Sequence, residues 1–447
     1  MKIRKGDNVK RFLGLLSTIV LAAVLLSGCS GGSDRSESGP VGPPEITSWA
    51  FVDGDGANGI NKNTASWAEV PQMTVFGSKL YATWTEASQI RVAVYNGNDS
   101  SPEWTFVDGN GANGINKNTA NWADTPQLTV FNSKLYATWT EAYHIRMAVY
   151  NGNDSSPEWT FVDGNGVRGI NKDATKLAQA SQLTVFNSKL YATWEEGYGG
   201  TPQIRMAVYN GNDSSPKWTF VDGNGANGIN KDATKLAEFP QLTVFKSGLY
   251  ATWEESNGIE RQIRMAVYNG DDSSPKWTFV DGDGVNGINK DASKAAWSPQ
   301  LTVFNSKLYA TWEEFNSPSW QQIRMAVYNG DDSSPQWIFV DGNGVNGINK
   351  NPSNTAQLPQ LTVNNSKLYA TWEEFNGTAW QVRIAVYNGN DNSPEWVFID
   401  GAGINGINKN AAEFATQPQL TAYNSKLYAI WDENNDPSSQ IRMAVGR

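Results

Sequence analysis

Residues 126–151 read PQLTVFNSKLYATWTEAYHIRMAVYN and contain three short runs of β-branched and aromatic residues separated by polar turns. The first two runs, 126–131 and 134–141, are joined only by Asn132 and Ser133, which is typical of a tight β-hairpin. The third run is 145–151, and a fourth run, 104–108, precedes the segment. The unit therefore predicts four antiparallel strands.

This unit recurs from residue 49 onward. The Asp of a Phe-Val-Asp-Gly motif (Phe-Ile-Asp-Gly in the last copy) marks seven copies, 55 to 60 residues apart, at Asp53, Asp108, Asp163, Asp222, Asp281, Asp341 and Asp400. Seven four-stranded units of this length predict an all-β, seven-bladed β-propeller. The series begins with the lone strand 49–53 and ends on strand 441–445. We therefore expect the first strand to complete the last blade and close the ring.

The residues before the repeats predict export. A basic head that includes Lys2 and Arg4 precedes the apolar run 12–26, a pattern typical of a signal peptide. The run ends in Leu-Ser-Gly-Cys at 26–29, which resembles the lipobox of bacterial lipoproteins. That resemblance implies lipidation of Cys29, the single cysteine. An ordinary secretory signal or an uncleaved anchor is the alternative.

This prediction divides the chain into three segments. They are the signal peptide 1–28, a lipidated cysteine with a Gly-, Ser- and Pro-rich tether at 29–48, and the propeller at 49–447. The predicted location is the cell envelope, on the outer membrane or the outer leaflet of the cytoplasmic membrane. Contact with the membrane is expected only through the lipid, and the propeller is expected to be a monomer.

Charge and composition exclude several functions. The chain carries a net −10 and residues 1–28 carry +4, so the part from Cys29 onward carries about −14. This excludes nucleic acid as a partner, because phosphate binding needs basic patches. With one histidine, His144, and one cysteine, Ser-His-Asp triads and His-rich zinc sites are also excluded. Any chemistry would depend on carboxylates, Tyr, Lys or Arg, and no cofactor is expected.

The order of the strands resembles sialidase-type propellers. In those blades an Asp-box turn joins the third and fourth strands, and the matching segment 96–104 retains Asp99 and Trp104 at the same separation. The strand that contains Arg91 resembles, more loosely, the blades of fucose-binding lectins, in which an Arg, a Glu and an aromatic ring hold the sugar. By this resemblance the candidate ligand-binding pairs are Glu86 with Arg91, Glu141 with Arg146, Glu314 with Arg324, and Glu374 with Arg383. A partly exposed ion pair across each hairpin is the alternative.

The arginines argue against catalysis. A sialidase site needs an arginine triad, an acid and a Tyr-Glu pair at unique positions. Here one arginine occurs per blade in the same context, at Arg91, Arg146, Arg205, Arg264, Arg324, Arg383 and Arg442. The sequence therefore predicts that the protein is not an enzyme, and a carboxylate-based glycosidase remains a third option.

Aromatic residues in the variable connections predict a binding face. Connections between blades and those between second and third strands lie on one face of a propeller, and they carry five tryptophans outside the repeat pattern. Loops on a rigid scaffold commonly bind ligands. Candidate platforms for sugar rings are Tyr143, Tyr198, Phe315, Trp320, Phe375 and Trp380, although these rings could instead cover the hydrophobic rim of their own blade.

The predicted function is multivalent, non-catalytic recognition of a carbohydrate or another extracellular polymer at the cell surface. A structural propeller, or one that binds a surface protein, is the alternative. A weaker candidate is a calcium site in the Gly-rich connection that follows the first strand. There Asp53, Asp55 and Asn58 offer oxygen ligands. A purely structural turn or direct contact with a ligand would explain the same residues.

Overall fold

The computed structural model describes residues 46–447, apart from 55–57, 110–112, 165, 224–226, 283–285, 318–319, 343–345 and 402. These residues form seven separate four-stranded antiparallel sheets, which confirms the seven-bladed β-propeller. One short 3-10 helix, Gly166–Arg168, is found among them. No helix in the described ranges is long and apolar enough to cross a membrane.

The blades are numbered from the first complete copy, and within blades 1 to 6 the strands run outward from the central axis in chain order. Blades 1 to 3 consist of β2 (Ala68–Phe76), β3 (Lys79–Glu86), β4 (Gln89–Tyr95) and β5 (Trp104–Phe106); β6 (Ala123–Phe131), β7 (Lys134–Glu141), β8 (His144–Tyr150) and β9 (Trp159–Phe161); and β10 (Ala178–Phe186), β11 (Lys189–Glu196), β12 (Gln203–Tyr209) and β13 (Trp218–Phe220).

The remaining blades repeat this arrangement, and blade 7 takes its outer strand from the start of the series. Blades 4 to 7 consist of β14 (Ala237–Phe245), β15 (Gly248–Ser256), β16 (Arg261–Tyr268) and β17 (Trp277–Phe279); β18 (Ala296–Phe304), β19 (Lys307–Ser317), β20 (Trp320–Tyr328) and β21 (Trp337–Phe339); β22 (Ala356–Asn364), β23 (Lys367–Phe375), β24 (Trp380–Tyr387) and β25 (Trp396–Phe398); and β26 (Ala415–Tyr423), β27 (Lys426–Asn435), β28 (Ser438–Gly446) and β1 (Trp49–Phe51).

The ring closes as the repeat phase predicts. Strand β1 pairs antiparallel with β28, with Trp49 opposite Gly446 and Phe51 opposite Ala444. The indole N–H of Trp49 also donates a hydrogen bond of 2.9 Å to the carbonyl of Ile399 in the neighbouring blade 6. The two ends of the repeat series are therefore held in one sheet.

Each blade contains a buried network of two carboxylates and two cations, seen here in blade 4. Asp281 accepts hydrogen bonds from Arg264 Nη1 at 3.1 Å and from Lys231 Nζ at 3.0 Å. Glu255 accepts from the backbone N–H of Lys231 at 2.8 Å and from the indole N–H of Trp253 at 2.8 Å. The network joins the connection between blades to the sheet and gives both buried carboxylates hydrogen-bond donors, as buried charges require.

A second set of contacts joins neighbouring blades at the turn between third and fourth strands, the segment that resembles an Asp-box. Asp99 accepts hydrogen bonds from the hydroxyl of Tyr95 in its own blade and from the hydroxyl of Tyr428 in blade 7, both at 2.9 Å. Lys426 of blade 7 pairs with the same carboxylate at 2.5 Å. The turn aspartate therefore connects two blades.

The first strand of each blade has a β-bulge that the sequence did not predict. The bulge adjoins the proline that the prediction placed at the strand start, and the strand in fact begins three residues earlier, as at Ala123. One residue at each bulge has a positive φ of 53° to 60° without being glycine: Val70, Thr125, Ala180, Phe239, Ser298, Leu358 and Gln417. Such backbone is uncommon and strained in β-branched residues.

These bulge residues surround the central axis at one end of the propeller, which we call the mouth. Ala180 of blade 3, Phe239 of blade 4 and Leu358 of blade 6 pack against each other there, although blades 4 and 6 are not neighbours. The apolar side chains therefore meet across the axis and form the floor of the mouth.

Candidate functional site at the mouth of the propeller

A ring of buried carboxyl groups surrounds the floor of the mouth. They lie on the second strand of each blade, one residue before the glutamate of the buried network, and successive side chains of a strand point to opposite faces. The position is threonine in blades 1 and 2 and acidic in blades 3 to 7: Thr85, Thr140, Glu195, Glu254, Glu313, Glu373 and Asp432. Four of these glutamates accept the backbone N–H of the next blade's bulge residue, as Glu195 does from Phe239 at 3.1 Å.

Burial keeps several of these groups protonated near neutral pH. Loss of hydration is the largest cause and raises the pKa of Glu195 and of Asp432 to about 8 and that of Glu313 to about 7. Asp124, on the first strand of blade 2, is raised to about 7 by burial and then by the negative charge of Glu69. Groups with such pKa values can donate a proton at neutral pH.

In blades 3 and 4 an arginine lies among the carboxyl groups. Arg261 forms ion pairs with both Glu238 and Glu254. The nearby charge of Glu238 is the second cause, after burial, of the raised pKa of Glu195. Burial likewise raises the pKa of Glu254 well above its ordinary value. We call Glu195, Glu238, Glu254 and Arg261 the acid–arginine cluster.

The members of this cluster differ in how far their side chains are exposed to solvent. The side chain of Arg261 is 21% exposed and that of Glu238 is 12% exposed, whereas Glu254 is fully buried. Glu195 is also fully buried and accepts a hydrogen bond of 2.6 Å from Nε2 of Gln179. Glu238 and Arg261 can therefore contact a ligand, while Glu195 and Glu254 lie behind them.

Two of the predicted platform rings lie together beside this cluster. Tyr143 and Tyr198 stack with centroids 6.0 Å apart and planes at 21°, and Trp122 meets Tyr143 edge-on at 4.8 Å. Burial raises the pKa of Tyr198, with smaller contributions from Tyr143 and from the charges of Glu195 and Glu238. A row of three aromatic rings thus leads to the acid–arginine cluster.

The other predicted platforms lie on blades 5 and 6. Phe315 meets Trp297 edge-on at 5.0 Å, and Phe375 meets Trp380 at 5.7 Å as a cross-strand pair. Trp320 is 43% exposed. These rings border the mouth but are divided into separate pairs, so they do not continue the row on blades 2 and 3.

The predicted Glu and Arg pairs are located elsewhere, inside the blades. Arg91 Nε lies 3.6 Å from Glu86, and Arg146, Arg324 and Arg383 lie 3.8 to 3.9 Å from Glu141, Glu314 and Glu374. All eight side chains are at most 5% exposed. The pairs are therefore buried members of the framework network, and not the partly exposed hairpin pairs that the sequence suggested.

The calcium candidates lie at the outer strand of blade 7. Asp53 is buried and accepts hydrogen bonds from Arg442 Nη1 at 3.1 Å and Lys409 Nζ at 3.2 Å, and Asn58 is exposed. Asp55 lies outside the described residues, as does Cys29. Within the described ranges, no three His, Cys, Asp or Glu side chains are grouped to hold a metal ion. Calcium binding stays a prediction.

The carboxyl ring and Arg261 were missed by the sequence analysis, although the sequence contains a signal for them. When the seven copies are aligned, most columns are constant, but the column of Glu195 changes from Thr to Glu to Asp. The column of Arg261 holds Ser88, Tyr143, Pro202, Gln321, Trp380 and Ser439 in the other copies. Variation within an otherwise uniform repeat marks the mouth.

Comparison with known proteins finds similarity in structure but none in sequence families or curated sequences. No described protein family matches the sequence, and neither does any curated protein. The polysaccharide lyase Uly1 matches with a TM-score of 0.54 and 10% identity, over 83% of this chain and 88% of that chain. A polysaccharide lyase described as PL25-Ulvanlyase matches with a TM-score of 0.56 and 9% identity, over 84% of this chain and 91% of that chain.

These likenesses correct one prediction from the sequence. The expectation that the chain is not an enzyme is wrong, because the propellers that it resembles are enzymes acting on carbohydrates. At 9 to 10% identity the similarity in structure establishes the fold and no more. The sialidase-type and lectin-type resemblances stay predictions.

Proposed function

We propose that the protein is a carbohydrate-active enzyme that binds an extracellular polysaccharide at the mouth and hydrolyses its glycosidic bonds. The observation that carries the proposal is the carboxyl pair of Glu195 and Glu238, in which burial raises the pKa of Glu195 to about 8 and Glu238 is partly exposed, beside a half-buried aromatic row. Cleavage of a glycosidic bond usually depends on two carboxyl groups, one of which has a raised pKa and donates a proton.

The proton of this pair has a defined route in the proposed reaction. Glu238 is the partly exposed member and would contact the glycosidic oxygen. It interacts electrostatically with Glu195, whose pKa of about 8 keeps a proton available to the pair. The proton passes to the leaving oxygen as the bond between that oxygen and the anomeric carbon breaks. Water then adds to the anomeric carbon and returns a proton to the pair, and the products are two shorter chains, one with a new reducing end.

The surroundings of the pair support a neutral polysaccharide. Tyr143 and Tyr198 offer ring faces on which sugars can stack, and Trp122 borders them. The segment from Cys29 onward carries about −14, which disfavours a polyanionic chain. Arg261 already pairs with two carboxyl groups and so offers little charge to an anionic sugar.

The test is release of reducing ends from a panel of neutral polysaccharides. Glu238→Gln and Glu195→Gln should each lower the rate about a hundredfold or more, because each removes one member of the proton-holding pair. Glu158→Gln, which changes an exposed glutamate in a turn of blade 2, is the matched control and should leave the rate unchanged.

Binding measured in parallel separates the outcomes. Glu238→Gln should still bind the polysaccharide that the wild type cleaves, because the aromatic row is intact. Cleavage that survives in both glutamine variants would contradict the assignment of the pair. A folded wild type that releases no reducing ends from any polysaccharide would overturn the proposed activity.

We further propose that the enzyme acts outside the cytoplasm, attached to the envelope through a lipid on Cys29. Support comes from the signal-like segment 1–28 and the lipobox-like Leu-Ser-Gly-Cys at 26–29. Cys29→Ser should move the protein from the membrane fraction to the soluble exported fraction in cell fractionation. Membrane association unchanged in this variant would argue against the lipid.

A further inference from the structure

At the end of the propeller opposite the mouth, blade 4 lacks an ion pair that joins most neighbouring blades. In five blade pairs a lysine at the start of the second strand forms an ion pair with the turn aspartate of the next blade at 2.5 to 2.6 Å: Lys79 with Asp154, Lys134 with Asp213, Lys189 with Asp272, Lys307 with Asp391, and Lys426 with Asp99. In blade 4 the lysine is replaced by Gly248, and the aspartate that it would meet is Asp332.

The replacement leaves a cavity. A space of about 380 Å³ lies here, lined by Gly248, Tyr250, Tyr268, Thr278 and Asp332 among others. Asp332 is exposed, whereas the five paired aspartates have 11 to 19% of their side chains exposed. The cavity therefore opens beside a carboxylate that the other blades cover with lysine.

The hydrogen bonds identify the atom that lost its partner. In blade 4, Oδ1 of Asp272 accepts the hydroxyls of Tyr191 and Tyr268 at 3.0 Å, and Oδ2 accepts Lys189 Nζ at 2.6 Å. Around Asp332 the two tyrosine bonds persist, from Tyr328 at 2.8 Å and Tyr250 at 3.0 Å. Oδ2 of Asp332 keeps only a second, 3.1 Å contact with the hydroxyl of Tyr250.

The nearest replacement cation does not fill this place. Lys246, in the hairpin before Gly248, donates to the carbonyl of Gly330 at 3.0 Å and lies 5.0 Å from the ring centroid of Phe245. Among the described residues Asp332 has no ion pair within 4.0 Å. Lys246 lines the same cavity but bonds the carbonyl of Gly330, so the place beside Oδ2 of Asp332 that a lysine fills in five other blade pairs holds no lysine of the described residues.

We propose that this cavity is a binding site for a small primary ammonium compound, whose nitrogen takes the position that lysine Nζ occupies in the other blades. The five lysines define the ligand chemistry: an ammonium group that donates to Oδ2, on a short apolar stem that lies against tyrosine rings. An aliphatic amine and an amino sugar both carry this group. The site lies at the opposite end from the mouth and does not depend on the proposed enzymatic activity.

The experiment titrates the folded protein with n-butylamine and with glucosamine, followed by ligand-observed NMR. Butanol and N-acetylglucosamine, which lack the charge, are the matched controls. We expect saturable binding of an amine with a dissociation constant of about a millimolar, because the carboxylate is exposed. Binding of glucosamine would identify an amino sugar as the ligand type, and binding of butylamine alone would identify an aliphatic amine.

Two variants use the other blades as templates. Gly248→Lys should fill the cavity with the lysine that forms this ion pair in five blades and abolish binding, and Lys189→Gly should create a second site at Asp272 and double the stoichiometry. A Cβ at Gly248 would meet the ring of Tyr250 at 2.9 Å, so a thermal melt should accompany this variant. Amine binding that is absent, equal to that of the uncharged controls, or unchanged in a folded Gly248→Lys would overturn the proposal.

Discussion

Raising the pH from about 5 to about 8.5 is expected to lower the melting temperature of the propeller, because its buried carboxyl groups hold protons that the unfolded chain releases. In the folded chain, burial raises the pKa of Asp124, Glu195, Glu313 and Asp432 to between about 7 and 8. Their ordinary values are 3.8 for Asp and 4.5 for Glu. Between these limits the folded state binds more protons, so the free energy of unfolding falls as the pH rises.

The stability that these groups contribute is complete below their ordinary pKa and is lost as the pH rises through 7 to 8. The turn aspartates act in the opposite direction. Although burial alone would raise their pKa, hydrogen bonds from lysine and tyrosine lower the pKa of Asp99 and Asp154, and the stability that they contribute is lost at more acidic pH. We therefore expect maximum stability in the mildly acidic range.

A single variant isolates the effect of the ring. Ionising Glu313, with its pKa near 7 and not 4.5, costs the folded state about 3 kcal/mol. Glu313→Gln mimics the protonated acid, so it should raise the melting temperature at pH 8.5 and flatten its dependence on pH. Glu158→Gln, on the exposed surface, should leave the profile unchanged. A melting temperature that is constant or rises over this range would contradict the assignment.

Asp281→Asn is expected to destabilise the protein by about 3 to 5 kcal/mol, because it leaves the buried guanidinium of Arg264 without its ion-pair partner. Asp281 is 2% exposed and accepts hydrogen bonds from Arg264 and Lys231. The asparagine would still accept a hydrogen bond but would not balance the charge of Arg264, which is 3% exposed. The measurement is the free energy of unfolding in urea.

Blade 4 also provides the control. Asp271 lies on an exposed turn, and blades 1 to 3 carry asparagine at the same position, at Asn98, Asn153 and Asn212. Asp271→Asn should therefore change stability by less than about 0.5 kcal/mol. Adding Arg264→Met to Asp281→Asn should recover part of the loss. Equal stabilities of the two single variants would show that the buried network contributes little.

The fold could be predicted because it depends on the repeat. Seven copies, the two-residue hairpin at Asn132 and Ser133, and the phase of the first strand are all readable along the chain. The site depends on which face of a strand a residue occupies, and a shift of one residue reverses that face. The predicted ligand contacts, such as Glu141, therefore point into the blade. The residues one position earlier on the same strand, such as Glu195, point to the mouth.

The bulge explains the rest of the difference. Positive φ at Val70 or Phe239 has no sequence signature, since glycine and asparagine are the residues that normally indicate it. Without the bulge, the convergence of Phe239 and Leu358 on the axis could not be anticipated. Arg261 was also hidden, because its partners Glu238 and Glu254 come together only through pairing of three strands.

The sevenfold hydrogen bonding of the tryptophans has a spectroscopic consequence. Seven indole N–H groups donate to a framework carboxylate, as Trp84 does to Glu86, and seven donate to a backbone carbonyl of the preceding blade, as Trp104 does to Val52. Their resonances in an isotopically labelled sample should therefore crowd into two groups. The five that remain, Trp67, Trp122, Trp297, Trp320 and Trp380, all border the mouth and should be dispersed. Movement of these dispersed signals alone would report a ligand at the mouth before any resonance is assigned.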